Sequence, residues 1–268
     1  MLVIDLKDSI ESITSAVARD TQIKCDLLSL NTFGKSRLRV VINGILEGMG
    51  KSEIAEDVYA SILELAFNAI KANYAHVITL GLLKQKFPDR MEKILAKGYF
   101  DDRVLMKTYL WYIASTEVHD RVKDALRYEA QIFREFEKST GDAPITAAQK
   151  EELYKKLPML MRTIDEQVKI TLRAAHTGGK LVFDIINDAP ITRIGLERIR
   201  QKREKFRQYF NDDRVSDFYI ENLDESESAG FGSAMIDSRL INMGLDPTRH
   251  FVIMELNNKT CASITLTF

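Results

Sequence analysis

The feature that most constrains this sequence is a change of period near residue 168. From there "VKITLRAA" and "LVFDIIND" alternate apolar and polar side chains around "HTGGK". A period of two puts successive side chains on opposite faces of a strand, and a Gly-Gly pair marks a turn, so this stretch predicts a β-hairpin. The C-terminal "HFVIMELNNKTCASITLTF" predicts a second hairpin, turning at Asn257-Asn258-Lys259. Residues 84–166 show no such alternation and only helical spacing. Strands gathered in one part of a chain and helices in another predict an α+β fold. The expectation is a two-layer sandwich, one mixed and largely antiparallel sheet under helices. Residues 1–83 and 167–268 would form it, with 84–166 as an inserted helical subdomain.

Other elements are read in the same way. "LVID" predicts a short strand, and "KDSIESITSAVARD" a helix with Ile10, Ile13 and Val17 on one face. Residues 52–74 predict a long amphipathic helix, with Ser52 as N-cap and Glu53 and Glu56 in its first turn. The following "HVITLGLL" admits a strand, but "VKITLRAA" fits that place better because it pairs with "LVFDIIND". "FDDRVLMKTYLWYIASTEVHDRVKDALRYEAQIFREFEKS" predicts one or two helices, and "GDAPIT" a break. "AAQKEELYKKLPMLMRTIDE" is a further helix, interrupted near Pro158. "ERIRQKREKFRQYFND" is a basic helix, and "DESESAGFGSAMIDSRLINMGL" a Ser/Gly loop running into a helix.

Composition narrows the function. The net charge is −1, which gives no bulk attraction to nucleic acid. The two cysteines, Cys25 and Cys261, are far apart and in no metal-binding spacing, which suits a reducing compartment. No apolar run approaches the roughly 18 residues of a membrane span. "MLVIDLKDSIESI" carries acids early and lacks an apolar leader core. The expectation is a cytosolic protein without membrane insertion.

Three stretches hold candidate chemistry. In "SILELAFNAIKAN", Glu64, Asn68 and Lys71 fall at i, i+4 and i+7, on one helix stripe, with Asn73 just beyond. Oxygens of a carboxylate and an amide suit Mg²⁺, and an ammonium suits a phosphate. The bland alternative is a solvated polar edge on a core helix. In "SAGFGSAM", Gly230 and Gly232 precede a helix, where backbone N–H groups and the helix end favour an anion. A plain loop-to-helix turn is the alternative there. "DIINDAPIT" ends a strand in Asn187 and Asp188, residues able to read a base edge or to form an Asx/Pro turn.

Taken in order, these stretches resemble the ATP-binding domain of sensor histidine kinases and their superfamily, which includes gyrase, the Hsp90 chaperones, MutL and the anti-sigma kinases. "LELAFNAIKANYAHVITL" is similar to the N box of the DesK/NarX-type kinases, "IINDAPIT" sits where the G1 box belongs, and "SAGFGSAMIDSRLINMGLDPTRHFVIMEL" resembles the G2 box with the helix and strand after it. The resemblance implies a Mg²⁺ ligand in Asn68 and an orienting group, base or second metal ligand in Glu64. It implies phosphate contacts from Lys71 and Asn73. Nucleotide contacts would come from Asn187 or Asp188 on the base and from Gly230, Phe231, Gly232 and Ser233 beside the triphosphate. It also implies an ATP lid from the basic segment 193–214 and the acidic loop 221–228, with one of Arg193, Arg198, Arg200, Lys202, Arg203, Lys205 and Arg207 reaching the γ-phosphate.

The chain departs from the family where G1 usually reads D-x-G-x-G, because Ala189 and Ile191 replace both glycines. Within the insertion, His119, Asp120, Val122 and Leu126 reproduce the H-D-x-V-x-x-x-L of DesK-type phosphoacceptors, with His119 as nucleophile and Asp120 as its base. That helix follows the N box instead of preceding it. An exposed helix histidine is the alternative, and for His76 a structural role. The resulting expectations are a Mg-ATP-binding signalling protein acting by phosphotransfer or lid closure, a non-enzymatic regulatory module with a degenerate site, or an ATPase switch with Glu64 as base. The helical insertion would meet a protein partner or a second copy.

Overall fold

The computed structural model describes residues 2–5, 22–27, 32–95, 101–140, 146–223 and 231–268. The helix expected over 7–20 lies outside them. The chain divides into two compact units, residues 1–69 with 170–268, and residues 70–169.

The first unit carries a six-stranded sheet in the order β1-β2-β3-β4-β6-β5. Its strands are β1 (Leu2–Asp5), β2 (Gln22–Leu27), β3 (Ile170–Thr177), β4 (Lys180–Asn187), β5 (Phe251–Leu256) and β6 (Lys259–Thr267). β1 runs parallel to β2, and every other pairing is antiparallel. Both hairpins form as the alternation predicts. Gly178 and Gly179 turn the first with φ of 58° and 74°, and Asn257 and Asn258 turn the second with φ of 53° and 60°. Two consecutive left-handed residues match the right-handed twist of the strands they join.

Register lines the buried residues into rows across the sheet. Ile23, Ala174, Phe183, Ile264 and Phe251 make one row, and Leu27, Ile170 and Asn187 another that ends on half-buried Thr260. The opposite face is half-exposed and mixes polar pairs with apolar residues. There Thr171 donates to Asp26 at 2.8 Å and Ser263 to Asp184 at 2.6 Å. One buried and one wetter face is the usual state of an antiparallel sheet. Leu38, Val41, Ile42 and Leu46 of α1 (Thr32–Gly48) and Val58, Ile62, Leu65 and Ala66 of the next helix add to this unit's core.

That helix, α2 (Ala55–Lys86), has 32 residues and runs twelve positions past the expected end at 74. Every residue from Asn73 to Leu80 is buried. A run buried all round shows no helical period, so "HVITLGLL" reads equally as strand or helix in sequence. Ser52 is not a helix N-cap. It opens a 3₁₀ turn, Ser52–Ile54, ahead of α2, and the cap position, Lys51, makes no side-chain bond.

The second unit is helical over its described residues. It comprises the end of α2 with α3 (Met91–Leu95), α4 (Arg103–Ile113), α5 (Thr116–Thr140), α6 (Ala147–Lys155) and α7 (Pro158–Asp165). Leu80, Leu83, Ile94, Leu105 and Tyr109 form a buried cluster. Asp102 caps α4, accepting from Val104 N at 3.0 Å and Leu105 N at 3.1 Å, and these bonds with Lys93 beside it hold its carboxyl below the usual range. Thr146 and Gln149 make a reciprocal capping box on α6. The interruption expected near Pro158 is the start of α7, where proline's missing N–H costs nothing.

The first unit resumes with α8 (Arg193–Asn211), α9 (Val215–Leu223), α10 (Phe231–Asn242) and the single-turn α11 (Pro247–His250). The predicted basic helix is α8, with Thr192 as its N-cap.

Candidate functional site

Glu64 and Asn68 stand one turn apart on α2, both half-buried, and Asn68 Nδ2 donates to Glu64 Oε1 at 3.1 Å. Against them comes the first turn of α10. A Cβ placed on Gly232 would lie 1.9 Å from Glu64 Oε1, 2.6 Å from its Cδ and 2.8 Å from its Cγ. A residue without a side chain lets this backbone approach so closely without displacing Glu64. Ser233 and Ala234, next along α10, are buried. Two segments far apart in sequence therefore meet in space.

Lys71 is exposed, and Asn73 is buried and donates to the carbonyl of Lys169 at 3.2 Å. Both fall in the second unit. The bond to Lys169 ties the Asn73 amide to backbone.

Gly230 lies outside the described residues. Phe231 stacks on Phe218 with ring centroids 6.3 Å apart and meets Tyr219 edge-on at 5.7 Å. It joins an aromatic cluster with Phe206 and Tyr209 that binds α8, α9 and α10 to one another. The expected G1 residues have local partners. Asn187 is buried at the end of β4, and its Nδ2 donates to Ala189 O at 3.2 Å. Thr260 Oγ1 donates to the same carbonyl at 2.7 Å, and Asp188 forms an ion pair with Lys259.

The basic run is not one solvated face. Arg203 Nε donates to Asp237 at 2.8 Å and 3.0 Å, its Nη2 to Pro247 O at 3.0 Å, and its guanidinium lies 4.5 Å from the Phe251 ring centre. Asp237 is wholly buried; burial pushes its carboxyl up, and Arg203 opposes the shift. Lys205 and Tyr209 both bond Glu221 on α9. These ties fasten α8 to α9 and α10. Glu221–Leu223, expected in a loop, are the last turn of α9, and 224–228 lies outside the described residues.

His119 sits half-buried on α5 in the second unit. Neighbouring helix residues do not face each other, and Asp120 lies toward Lys123, 3.9 Å away. His76 is buried, with Nδ1 2.9 Å from the Tyr109 hydroxyl and the rings edge-on.

The residue that pattern reading passed over is Glu129. It is 4% exposed, and its Oε1 accepts from Met159 N at 2.9 Å and Leu160 N at 3.1 Å. The Tyr74 hydroxyl donates to its Oε2 at 2.5 Å. Leu157 cannot cap α7, so Glu129 does so from another helix. Burial raises the carboxyl above its usual range despite these donors, and burial beside Glu129 raises the Tyr74 hydroxyl. The available signal was a carboxylate continuing the apolar stripe of Val118 and Val122.

Among the described residues no three His, Cys, Asp or Glu side chains gather as a metal cage. Glu64 and Asn68 alone suit a hard cation that keeps most of its ligands as water and phosphate, the habit of Mg²⁺.

The chain matches no known family model, no curated protein and no solved structure.

Proposed function

We propose that this chain binds Mg-ATP as a histidine-kinase-like protein, with the nucleotide's phosphates beside Glu64, Asn68 and the first turn of α10. The observation that carries the reading is the contact of Gly232 backbone with Glu64. It joins the segments resembling the N box and the G2 box. The mixed sheet with two C-terminal hairpins is compatible with such a domain.

In this reading Asn68 Oδ1 and Glu64 hold the cation, which would neutralise phosphate charge. The bare Gly232 backbone gives a phosphate room near α10. Glu64 is the group placed to orient a water or hydroxyl. Whether the protein transfers the phosphoryl group or releases it depends on the acceptor.

Calorimetric titration with Mg-ATP tests this. Binding that weakens at least tenfold in Asn68→Ala supports it, and absence of heat from the unaltered protein refutes it. With labelled ATP, acid-labile protein label that His119→Ala abolishes marks autophosphorylation. Free phosphate that Glu64→Ala abolishes marks an ATPase.

One observation favours the second reading, a regulatory module without nucleotide. Asn187 bonds the Ala189 carbonyl, which Thr260 of β6 also bonds, and Asp188 pairs with Lys259 of β6, so the G1 side chains already have partners within the fold. A protein that fails to bind ATP but keeps its fold in all these variants is that module.

A further inference from the structure

β5 ends the sheet, with β6 on one side and no strand on the other among the described residues. Exposed edges are ordinarily blunted by lysine, proline, a bulge or shortness. Phe251–Leu256 has six residues, pairs with β6 without a bulge, and carries Glu255 as its one charge. Val252, Met254 and Leu256 project from one face at two-residue spacing and are 40%, 41% and 44% exposed. The opposite face begins with buried Phe251.

We propose that this edge pairs with β5 of a second copy, antiparallel about a twofold axis, so that one sheet runs through both chains. The sequence of the strand is self-complementary in one register. Centred on Met254, the pairing sets Met254 against the partner's Met254, Val252 against the partner's Leu256, and Glu255 against the partner's Ile253. All three exposed apolar residues then find apolar partners on one face, and the two glutamates do not meet. Sliding two residues toward the turn sets Glu255 against the partner's Glu255. Sliding two the other way sets Leu256 against the partner's His250, which is helical. A slide of one residue would put the apolar stripe against the opposite face. A second copy therefore fits this edge in a way that an arbitrary strand does not.

Sedimentation over a dilution series tests the pairing. The unaltered protein is expected to dimerise. Met254→Lys, at an exposed site, should weaken the dimer at least tenfold while circular dichroism, and the melting temperature at dilutions where both proteins are monomeric, stay unchanged. A second variant tests the register. In a Cys261→Ala background, chosen because Cys261 faces Met254 across the hairpin, Met254→Cys should cross-link between chains on mild oxidation. Paired Cα atoms about 4.5–5.5 Å apart lie within disulfide reach. Val252→Cys in the same background should not cross-link. The remaining cysteine, Cys25, is buried with its thiol pushed up to about 12, and stays silent. A protein monomeric up to about 1 mM overturns the proposal. So does a dimer that survives Met254→Lys, or cross-linking through position 252 in preference to 254.

Discussion

Two glutamates, one in each compact unit, make the instructive contrast. Glu129 is surrounded by donors: two backbone N–H groups opening α7 and one tyrosine hydroxyl. Glu64 is only half-buried, takes one amide bond from Asn68, and faces a backbone bared by Gly232. The first carboxylate is satisfied by the fold and holds helices together. The second keeps acceptor capacity unused among the described residues, where a side chain on residue 232 would displace it. A polar residue near apolar neighbours reads alike in both sequences; its partners separate structure from chemistry.

Variants can break this contrast. The largest expected effect is Glu129→Ala, which orphans two helix-opening N–H groups and the Tyr74 hydroxyl. Chemical denaturation should show a loss of about 3 kcal/mol. Next is Gly232→Ala, which forces Glu64 to rotate away and give up Asn68. A cost of about 1–2 kcal/mol is expected, with most of it recovered in the Gly232→Ala, Glu64→Ala double variant. Additive losses would mean that the two residues are not in contact.

Third is pH. Glu129 is raised by burial, so the folded state holds its proton more tightly than the unfolded state. Its contribution is complete below the ordinary carboxylate range and falls as pH rises through the folded value. Asp237 is raised too and acts with the same sign, so the comparison must be made against Glu129→Gln, which keeps Asp237. The stability of the unaltered protein relative to that variant should decline as pH rises above the ordinary carboxylate range. A flat difference would contradict the assignment. The smallest effect is Glu64→Gln, expected within about 0.5 kcal/mol of the unaltered protein at neutral pH.

Much of the sheet unit was legible because its signals are local. Strand alternation, Gly178-Gly179 and Asn257-Asn258 each act within a few residues. The break at Pro158 and the basic helix were legible for the same reason. The true length of α2 was not, because the fully buried run from Asn73 to Leu80 erases its period. Glu64, Asn68 and Gly232 were legible as a pattern, but the reason for Gly232 appears only when α10 meets α2. Nothing near Glu129 points to backbone thirty residues on, and nothing near Arg203 points to Asp237. Their roles come from tertiary partners. Asn73 shows the converse, a residue that fits a motif's chemistry and whose amide the fold gives a backbone partner, the Lys169 carbonyl.

A crystal structure of the protein soaked with Mg²⁺ and a non-hydrolysable ATP analogue bears most directly on the central claim. The expected result is a metal on Asn68 Oδ1 and Glu64, with phosphates against the Gly232 backbone. Nucleotide bound elsewhere, or Glu64 and Asn68 unchanged beside an empty α10 turn at saturating ligand, would contradict it.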